Sequence, residues 1–446
     1  MTHNFTAADL AVKSLGPCRI DSPLIPLLDQ RERTFHNVHE EDRVLFDDTL
    51  SSLIERNLPA DQLVSQLPAF EPAGPRRKIF FDPSKTRAAI VTCGGLCPGF
   101  NDVIRSLVLE LHKSYGVRKV YGFCNGYQGF IAKYGRPVLD LSPATVAGIN
   151  ELGGTILGTS RGEQDPEEIV DCMETMSINM LFVIGGDGTL RGAQRITNCI
   201  AGRGGKIAVV GVPKTIDNDI MFIDQSFGFQ TAVAEATRAI RSAHVEAQAS
   251  PNGIGLVKLM GRDSGFIAAF AALAVNTVNY VLIPEVPFQL EGKHGLLACL
   301  EDRLARRGHA VVVVAEGAGQ HLMQPQGGTD ASGNLKYGDI GPFLKKAIEA
   351  HFKLGGKEVN IKYIDPSYVI RSVPASPQDA IYCLRLAQNA VHAAMAGKTN
   401  MVVGRWHGHY VNLPMSVVTV RRRKVNPHGD LWVTVLEATG QPVEFK

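Results

Sequence analysis

The sequence predicts a doubly wound α/β protein, and three observations lead to this fold class. Short runs of valine, isoleucine and leucine recur from Arg87 onward, most of them end in glycine, and a helix-length segment follows each run. Such runs are typical of parallel strands that helices cover on both faces. We therefore expect two doubly wound (Rossmann-like) domains with mainly parallel sheets, plus an N-terminal arm.

The length and composition limit the possible functions. The chain has 446 residues, which is too long for one small core, so two or three domains are expected. Hydrophobic residues make up 45% and charged residues 20%, as in ordinary soluble globular proteins. The formal net charge is only +2, which gives no support for a nucleic-acid or membrane partner. An anionic ligand would need a local group of arginines and backbone amides.

Cysteine usage and the apolar segments indicate a cytoplasmic enzyme. The eight cysteines include no C-x-x-C pair and no zinc-binding spacing, so reduced thiols are expected. The N-terminus does not have the layout of a signal peptide. Residues 266–283 are apolar enough to raise the question of a membrane span, but Asn276 and Asn279 interrupt them. A buried helix followed by a strand fits this stretch better.

The first 85 residues differ in composition from the rest. They contain few glycines and many prolines, which predicts an arm rather than a domain. A second unusual stretch, Gln324–Asp339, is polar and rich in glycine, and it is the best candidate for a flexible insertion.

The first motif lies between a predicted strand and a predicted helix. The sequence "TCGGLCPGFNDVIRSLV" places Gly94, Gly95 and Gly99 at this junction. Glycines allow close approach to the backbone, and the amides at a helix start bind anions. A tight turn without any ligand would need the same glycines, so both interpretations stay open.

The second motif, "FVIGGDGTLRGAQRI", surrounds Asp187 with glycines at the end of a buried strand. A carboxylate beside phosphate-binding glycines needs a positive partner, and Mg²⁺ is the usual one. The alternative is that Asp187 caps a helix. The motif is not G-x-G-x-x-G, because Arg191 occupies the last position. The sequence "AMAGKT" is not a P-loop either, because His392 replaces the first glycine and a helical pattern precedes it.

The third motif is "PKTIDND", which ends a predicted strand with Lys214 and two aspartates, Asp217 and Asp219. One aspartate can accept the proton of a substrate hydroxyl during phosphoryl transfer. The two aspartates are not expected to share one role. Asx-turns are the alternative use of both.

Three arginines lie beside glycines or strand ends, namely Arg161, Arg262 and Arg371. A lone arginine usually lies on a solvated surface. An arginine directly after a buried strand is better placed for a phosphate, because its planar group matches the oxygens. A donor and a phosphorylated acceptor would account for three such residues.

Together these residues resemble the 6-phosphofructokinase family from about Arg87 onward. The motifs "GGLCPGFN", "GGDGT", "PKTIDND", "MGRDSG", "AEG" and "YVIR" occur in the family's order. The arm is similar to that of the plant and trypanosomatid ATP-dependent subgroup and its bacterial relatives. The resemblance implies an arm at 1–85, a nucleotide-binding domain at 86–228 with 371–425, and a sugar-phosphate-binding domain at 229–370 with 426–446.

The resemblance also implies roles for single residues. Asp217 matches the catalytic base toward the sugar 1-hydroxyl, with Arg161 and Thr215 as further catalytic residues, and Asp187 matches the Mg²⁺-associated aspartate. The nucleotide-binding positions are Gly95, Tyr127, Arg161, Gly186, Gly188, Thr189, Gly192 and Lys214. The sugar-phosphate positions are Thr215, Asp217, Asp219, Met260, Gly261, Arg262, Glu316, Lys362, Tyr368 and Arg371.

Assembly is expected from the same resemblance. Lys362 occupies the position of a basic residue that completes the phosphate site of a neighbouring subunit, which requires a homo-oligomer and implies a tetramer. Gly253 departs from the pattern, because the short bacterial enzymes carry an inter-subunit arginine there. The resemblance implies an allosteric enzyme, but the familiar bacterial effector site is not assumed.

The choice of phosphoryl donor depends on two positions. A lysine at position 214 is often associated with pyrophosphate in the family. Pyrophosphate users typically carry a second aspartate at the position of Gly188, which would repel the α-phosphate of a nucleotide. Because Gly188 leaves that space open, we expect ATP as co-substrate with Mg²⁺ and fructose 6-phosphate as acceptor. Pyrophosphate as donor, a different kinase class that shares "GGDGT", and a non-catalytic regulatory subunit are the alternatives.

Overall fold

The computed structural model describes residues 5–29, 38–51, 54, 67–324, 327–328 and 335–446. The chain divides into two compact units. The first comprises Met1–Thr215, Ile220–Phe227 and Pro374–Arg421, and the second comprises Ile216–Asp219, Gly228–Val373 and Arg422–Lys446. Asp217 thus belongs to the second unit, although the sequence division placed residues 86–228 together, and the described part of the arm belongs to the first unit.

The first unit contains a large mixed sheet. Its strand order among the described residues is β3-β4-β17-β16-β10-β9-β6-β7-β8. The five inner strands, β16, β10, β9, β6 and β7, are parallel, and every pairing outside them is antiparallel. The strands are β3 (Val44–Leu45), β4 (Ala69–Pro72), β6 (Arg87–Thr92), β7 (Lys119–Phe123), β8 (Val138–Asp140), β9 (Met180–Gly185), β10 (Ala208–Pro213), β16 (Met401–Trp406) and β17 (His409–Pro414).

The described part of the first unit contains six α-helices, two of which directly follow inner strands, β6 and β9. Their sequences alternate apolar and polar residues at helical spacing, and their apolar residues are buried. The α-helices are Ile25–Asp29, Phe100–Leu109, Pro166–Thr175, Asp187–Gly202, Pro377–Met395 and Met415–Val418. Shorter turns of 3₁₀-helix are Gly126–Phe130, Ala132–Tyr134 and Ile149–Glu151, and a π-helical segment, Glu110–Tyr115, continues the helix Phe100–Leu109.

The arm is fastened to this unit by strands, ion pairs and aromatic rings. It contributes β3 and β4 to the large sheet and pairs in two small sheets, β1 (Lys13–Ser14) with β15 (Lys398–Thr399) and β2 (Ile20–Asp21) with β5 (Lys78–Ile79). Lys398 Nζ lies 2.9 Å from Glu71 Oε2. The ring of Phe46 lies 5.3 Å from that of Phe222. Arm residues 1–4, 30–37, 52–53 and 55–66 lie outside the described residues.

The second unit is built on a four-stranded sheet in which every pairing is parallel. Its order is β12-β13-β11-β14. The strands are β11 (Gly253–Leu259), β12 (Tyr280–Leu282), β13 (His309–Ala315) and β14 (Asn360–Ile364). The helices are Phe229–Gln248, Phe266–Val275, Leu296–Arg307, Ile340–Leu354, Ser367–Ser372 and Asp430–Thr439, with a 3₁₀ turn at Gln320–Leu322. The predicted α/β class is therefore confirmed.

Three sequence predictions about individual segments can be compared with these elements. Residues 266–283 form a helix, Phe266–Val275, and a strand, Tyr280–Leu282, as predicted. In the described part of the chain, none of the helices combines the length and the apolar character that crossing a bilayer requires. None of the eight cysteines, all of which the structure describes, forms a disulfide. Of the predicted insertion Gln324–Asp339, residues 325–326 and 329–334 lie outside the described residues.

Strand register brings the motifs of each unit to one sheet edge. In the first unit Thr92 of β6 is level with Ile184 of β9, and Gly185 is level with Pro213 of β10. In the second unit Leu259 of β11 is level with Ala315 of β13. Because parallel strands end at the same edge, the loops that follow them are neighbours. The motifs predicted to bind phosphates are the loops at these two edges.

Candidate active site

In the first unit two cations lie against the glycines that follow β6. A Cβ atom added at Gly94 would lie 3.3 Å from Lys214 Nζ, and one added at Gly95 would lie 3.6 Å from Arg161 Nη2. Lys214 is buried, and its backbone N–H donates to the Gly185 carbonyl at 2.9 Å. A buried ammonium group and a guanidinium group over bare backbone form an environment suited to a phosphate. We call Gly94, Gly95, Arg161, Gly186–Thr189 and Lys214 the glycine-loop cluster.

The helix after this loop can start only from a glycine. Gly99 has φ +103°, which is left-handed, and a Cβ there would lie 2.7 Å from Cys383 Sγ. Any side chain would therefore combine backbone strain with a steric clash. The helix Phe100–Leu109 begins directly after it, so its first backbone amides face the loop. The geometry is compatible with both interpretations of the motif, an anion-binding loop and a tight turn without a ligand.

Asp187 is the first residue of the helix Asp187–Gly202 and is not its N-cap, which is Gly186 in extended conformation. The helix-cap alternative for Asp187 is therefore wrong. Its Oδ2 atom accepts from Arg191 Nη1 at 2.6 Å, one turn along the helix. Apart from its chain neighbours and the backbone of its own helix, the described residues place only Arg191 Nη2 within 4 Å of a Cβ added at Gly188, at 4.0 Å. The surface beside Asp187 thus has open space at Gly188, and the Arg191 guanidinium lies next to that space.

Tyr127 packs against the start of the helix Asp187–Gly202. Its hydroxyl donates to the Thr189 carbonyl at 2.8 Å, and a Cβ added at Gly192 would lie 2.9 Å from its ring. The tyrosine is buried, and burial raises the pKa of its hydroxyl. The Thr189 side chain lies against Gly185, where an added Cβ would come within 2.4 Å of it. Tyr127 and Gly192 thus fix the helix start, and direct contact of Tyr127 with a nucleotide stays a prediction.

The "PKTIDND" segment passes from the first unit to the second. Thr215, the last residue of the first unit before residues 216–219 of the second, accepts a hydrogen bond at its carbonyl from Ser226. In the second unit the Asp217 carbonyl accepts from Ser264 Oγ at 3.2 Å, and the Asp219 carbonyl accepts from the Arg423 N–H at 2.7 Å. Asn218 between them has φ +56°. Both aspartate positions are therefore held by their backbones.

The loops after β11 and β13 bring Met260, Gly261, Arg262 and Glu316 together. A Cβ added at Gly317 would lie 1.8 Å from the Arg262 carbonyl, so the two loops are in direct contact. Burial raises the pKa of Glu316, and the charges of Lys258, Arg262 and Arg371 lower it in part. A carboxyl group among three cations is suited to the hydroxyls of a phosphorylated sugar. We call Met260–Arg262, Glu316, Tyr368 and Arg371 the arginine cluster.

The last two members come from the short helix Ser367–Ser372. The Arg371 guanidinium lies 4.5 Å from the centre of the Tyr368 ring, and Tyr368 is 79% exposed. Cation–π contact holds the guanidinium in a defined direction while both groups stay accessible. The structure thus brings Arg262, Glu316 and Arg371 into one electrostatic environment, and their binding of a sugar phosphate stays a prediction.

Lys362 is separate from the arginine cluster. It lies in β14 level with Gly255, about 15 Å along the strand direction from Met260. Its Nζ atom is 3.9 Å from Glu246 Oε2. Gly253, which departs from the family pattern, has no space for a side chain, because a Cβ would lie 2.0 Å from the Ala247 carbonyl. Close packing of helix Phe229–Gln248 on β11 explains why an arginine is absent there.

Comparison with known proteins identifies the family. Residues 87–394 match the family described as Phosphofructokinase. The chain belongs to the phosphofructokinase family. It is 54% identical to the ATP-dependent 6-phosphofructokinase of Amycolatopsis methanolica, over 98% of this chain and 96% of that relative. It is 50% identical to the enzyme of the same name from Borreliella burgdorferi, over 98% of each chain.

Further relatives confirm the predicted subgroup within the phosphofructokinase family. The ATP-dependent 6-phosphofructokinase of Trypanosoma brucei brucei is 45% identical, over 89% of this chain and 83% of its own length. Among solved structures, the pyrophosphate-dependent phosphofructokinase of Marinobacter aquaeolei matches with a TM-score of 0.65 at 21% identity, over 81% of this chain and 92% of that one. This structural likeness shows the phosphofructokinase fold.

Three residues beside the family's motifs make ion pairs that the motifs do not predict. Arg191 pairs with Asp187, Lys258 pairs with Asp365, and Arg422 contacts Asp219. A lysine inside the apolar strand "GLVKLM" was a usable signal, because a buried lysine needs a partner. Arg422 lies in the basic run "RRRK", which gave no such signal.

Proposed function

We propose that this chain transfers the γ-phosphoryl group of ATP to O1 of fructose 6-phosphate, which gives fructose 1,6-bisphosphate and ADP. Two relatives named ATP-dependent 6-phosphofructokinase support this, since they match nearly the whole chain at 50% identity or more. The observation that carries the choice of donor is Gly188. Beside Asp187 it presents no side chain, and the nearby group is the Arg191 guanidinium.

Asp217 is the proposed base of the reaction. It takes the proton of the O1 hydroxyl as O1 forms a bond to the γ-phosphorus and the bond to the β-phosphate oxygen breaks. The Ser264 contact fixes the Asp217 backbone. Thr215 and Asp219 lie on either side, and Asp219 acts as a supporting group. The arginine cluster binds the sugar phosphate, so that O1 is presented to this carboxylate.

The glycine-loop cluster provides the charges for the donor. Lys214 and Arg161 stabilise the negative charge that develops on the transferring group. They lie against Gly94 and Gly95, where the phosphate oxygens can reach the backbone amides. Both cations can serve a nucleotide or pyrophosphate, so Lys214 and Arg161 support phosphoryl transfer without selecting the donor.

Mg²⁺ is the proposed metal, and the donor set fits it. Mg²⁺ keeps several waters and is usually held by one or two carboxylates together with substrate phosphates. Within the described residues no group of three or more His, Cys, Asp or Glu side chains could hold a metal ion alone. Asp187, at the start of a helix beside bare glycines, would contribute one carboxylate. When bound, the ion neutralises phosphate charge.

A donor assay tests the proposal directly. The chain is incubated with fructose 6-phosphate and MgCl₂ and with either ATP or pyrophosphate, and fructose 1,6-bisphosphate is measured. We expect kcat/KM to be at least about 100-fold higher with ATP, which is the discrimination that a built-in steric and charge difference provides. Turnover with pyrophosphate alone would establish the alternative that Lys214 favours. No product with either donor would revive the other kinase class or the regulatory subunit.

The proposed assembly is a homo-oligomer of at least two chains in the cytoplasm. Lys362 supports it, because this lysine is far from the arginine cluster of its own chain along β14. In an oligomer it would complete the phosphate site of a neighbouring subunit. Light scattering gives the mass of the assembly, and the tetramer and the allosteric behaviour stay predictions.

A further inference from the structure

A chain of side chains connects Arg262 to the aspartates of "PKTIDND" within the second unit. It starts at Asp219, whose Oδ2 atom lies 3.9 Å from Arg422 Nε. The next residue, Arg423, donates its backbone N–H to the Asp219 carbonyl at 2.7 Å. Asp219 is thus approached by a backbone donor and a guanidinium group from the same short segment.

The guanidinium of Arg422 also contacts a second carboxylate. Its Nη1 atom donates to Asp263 Oδ2, and Asp263 Oδ1 accepts the hydroxyl of Tyr337 at 3.2 Å. Arg422 and Asp263 are both about three-quarters buried, so this pair is shielded from solvent more than a surface ion pair is. Arg422 therefore lies between two carboxylates, one from the "PKTIDND" segment and one from the "MGRDSG" segment.

Tyr337 links this pair to a residue of the arginine cluster. The Arg262 guanidinium lies 4.4 Å from the centre of the Tyr337 ring and donates to the Leu335 carbonyl. The same stretch is fastened at its other end, where Lys258 Nζ lies 2.9 Å from Asp339 Oδ1. We call residues 335–339 the strap. The strap holds Arg262 on one side and, through Tyr337 and Asp263, Arg422 on the other.

We propose that Arg422 is a positioning residue for the catalytic base. It fixes Asp219, and thereby Asp217 two residues earlier, and it makes this position depend on the strap that holds Arg262. The proposal rests on the proposed function, in which Asp217 is the base and Arg262 a sugar-phosphate ligand. Arg422 touches neither substrate in this scheme, so its effect is on geometry.

Charge explains why an arginine is needed there. Asp219 and Asp263 are both partly buried carboxylates that face the same guanidinium. Without a cation between them they would repel each other, and the "PKTIDND" segment would relax away from the strap. A planar group with five donors can bond both carboxylates at once. A lysine at position 422 would keep the charge but not both contacts.

The test uses three variants, Arg422→Gln, Arg422→Lys and Tyr337→Phe. The control is Arg421→Gln, which changes the exposed preceding arginine. The wild-type chain is assayed first with ATP and fructose 6-phosphate, so a failure of the proposed function is detected before any variant is tested. For Arg422→Gln we expect kcat to fall about 10- to 100-fold, with the Kd for MgADP unchanged and partial rescue by lysine. Wild-type kcat in Arg422→Gln, or an equal loss in Arg421→Gln, would overturn the proposal.

Hydrogen exchange provides a readout that does not depend on turnover. In Arg422→Gln we expect faster amide exchange both in residues 216–219 and in the strap, and unchanged exchange in the helix Asp187–Gly202. Tyr337→Phe should produce the same pattern with a smaller amplitude, and its effect on kcat should not add to that of Arg422→Gln. Faster exchange throughout the variant, or no change in the strap, would contradict the coupling.

Discussion

The Nζ atom of Lys258 lies 2.7 Å from the carboxylate of Asp365, and this ion pair joins a buried strand to the helix that carries Arg371. Asp365 also accepts the backbone N–H of Ser367, the first residue of that helix, at 3.1 Å. Burial opposes the charge of Lys258, but its bonds to Asp365 and Asp339 outweigh burial and raise its pKa. Lys258 is therefore charged at every physiological pH. Through Asp365 it holds the helix that carries Arg371 of the arginine cluster.

Lys258→Met should weaken binding of the acceptor more than it slows turnover. Without the ammonium group, the helix Ser367–Ser372 loses its fixed position, and Arg371 moves with it. We expect the KM for fructose 6-phosphate to rise about 10-fold or more and the KM for ATP to stay within about twofold. Steady-state kinetics with each substrate varied in turn measure both values. Lys357→Met, which breaks the exposed pair with Glu301, is the matched control and should leave both KM values unchanged.

Asp217→Ser should abolish most turnover while substrates still bind. Serine cannot accept the O1 proton, so kcat should fall by about 10³-fold or more, whereas ADP affinity measured by calorimetry should change little. Asp219→Ser should reduce kcat less, because Asp219 has a supporting role. The assignment of the base fails if Asp217→Ser retains near-normal turnover, or if Asp219→Ser is the more damaged variant.

Gly188→Asp should reduce the use of ATP selectively. The new carboxylate would stand beside Asp187 and within reach of Arg191, so it would occupy the open space and neutralise the cation there. We expect kcat/KM for ATP to fall about 100-fold or more and ADP to bind more weakly. The kcat/KM for fructose 6-phosphate should fall less. Gly202→Asp is the control, because the described residues leave its Cβ position open. Equal use of ATP by Gly188→Asp and wild type would remove Gly188 from donor selection.

The positions of the motifs could be predicted from the sequence, because parallel strands deliver their following loops to one edge. This rule places Asp187 and Lys214 near each other in the first unit and Arg262 near Glu316 in the second. The pairings made by Arg422 and Tyr337 could not be predicted in this way. They join residues 159 and 74 positions apart, and they depend on loop paths that no periodicity encodes. Tyr127 is buried against Gly192, and this contact too depends on a loop path that no periodicity encodes.

Gly192→Ala should destabilise the first unit. Its new methyl group would lie 2.9 Å from the Tyr127 ring, which is buried and bonded to the Thr189 carbonyl, so neither side can yield freely. We expect the free energy of unfolding to fall by about 1–3 kcal/mol, as in other overpacked sites. Gly202→Ala, at an open position at the end of the same helix, should be neutral or stabilising by about 0.5 kcal/mol. Urea denaturation gives the free energy of unfolding of both variants and so tests whether only Gly192→Ala lowers it.

His392 should make the protein less stable in mild acid. It accepts or donates a hydrogen bond with the Tyr115 hydroxyl at 2.8 Å, and burial, with a smaller contribution from Arg76, lowers its pKa to about 3. The unfolded chain binds this proton near pH 6.5 and the folded chain does not, so stability is complete above about pH 6.5 and falls as the pH drops toward 3. Between pH 7 and pH 5 this one group should remove about 2 kcal/mol from the free energy of unfolding.

Urea denaturation at the two pH values tests the effect of His392. His392→Gln cannot take up the proton, so its free energy of unfolding should depend less on pH by about 2 kcal/mol, even if the variant is less stable than wild type at pH 7. His409→Gln, at an exposed position of β17, should keep the pH dependence of the wild type. If His392→Gln and wild type lose the same free energy between pH 7 and pH 5, the acid sensitivity comes from other groups, and the buried histidine has no part in it.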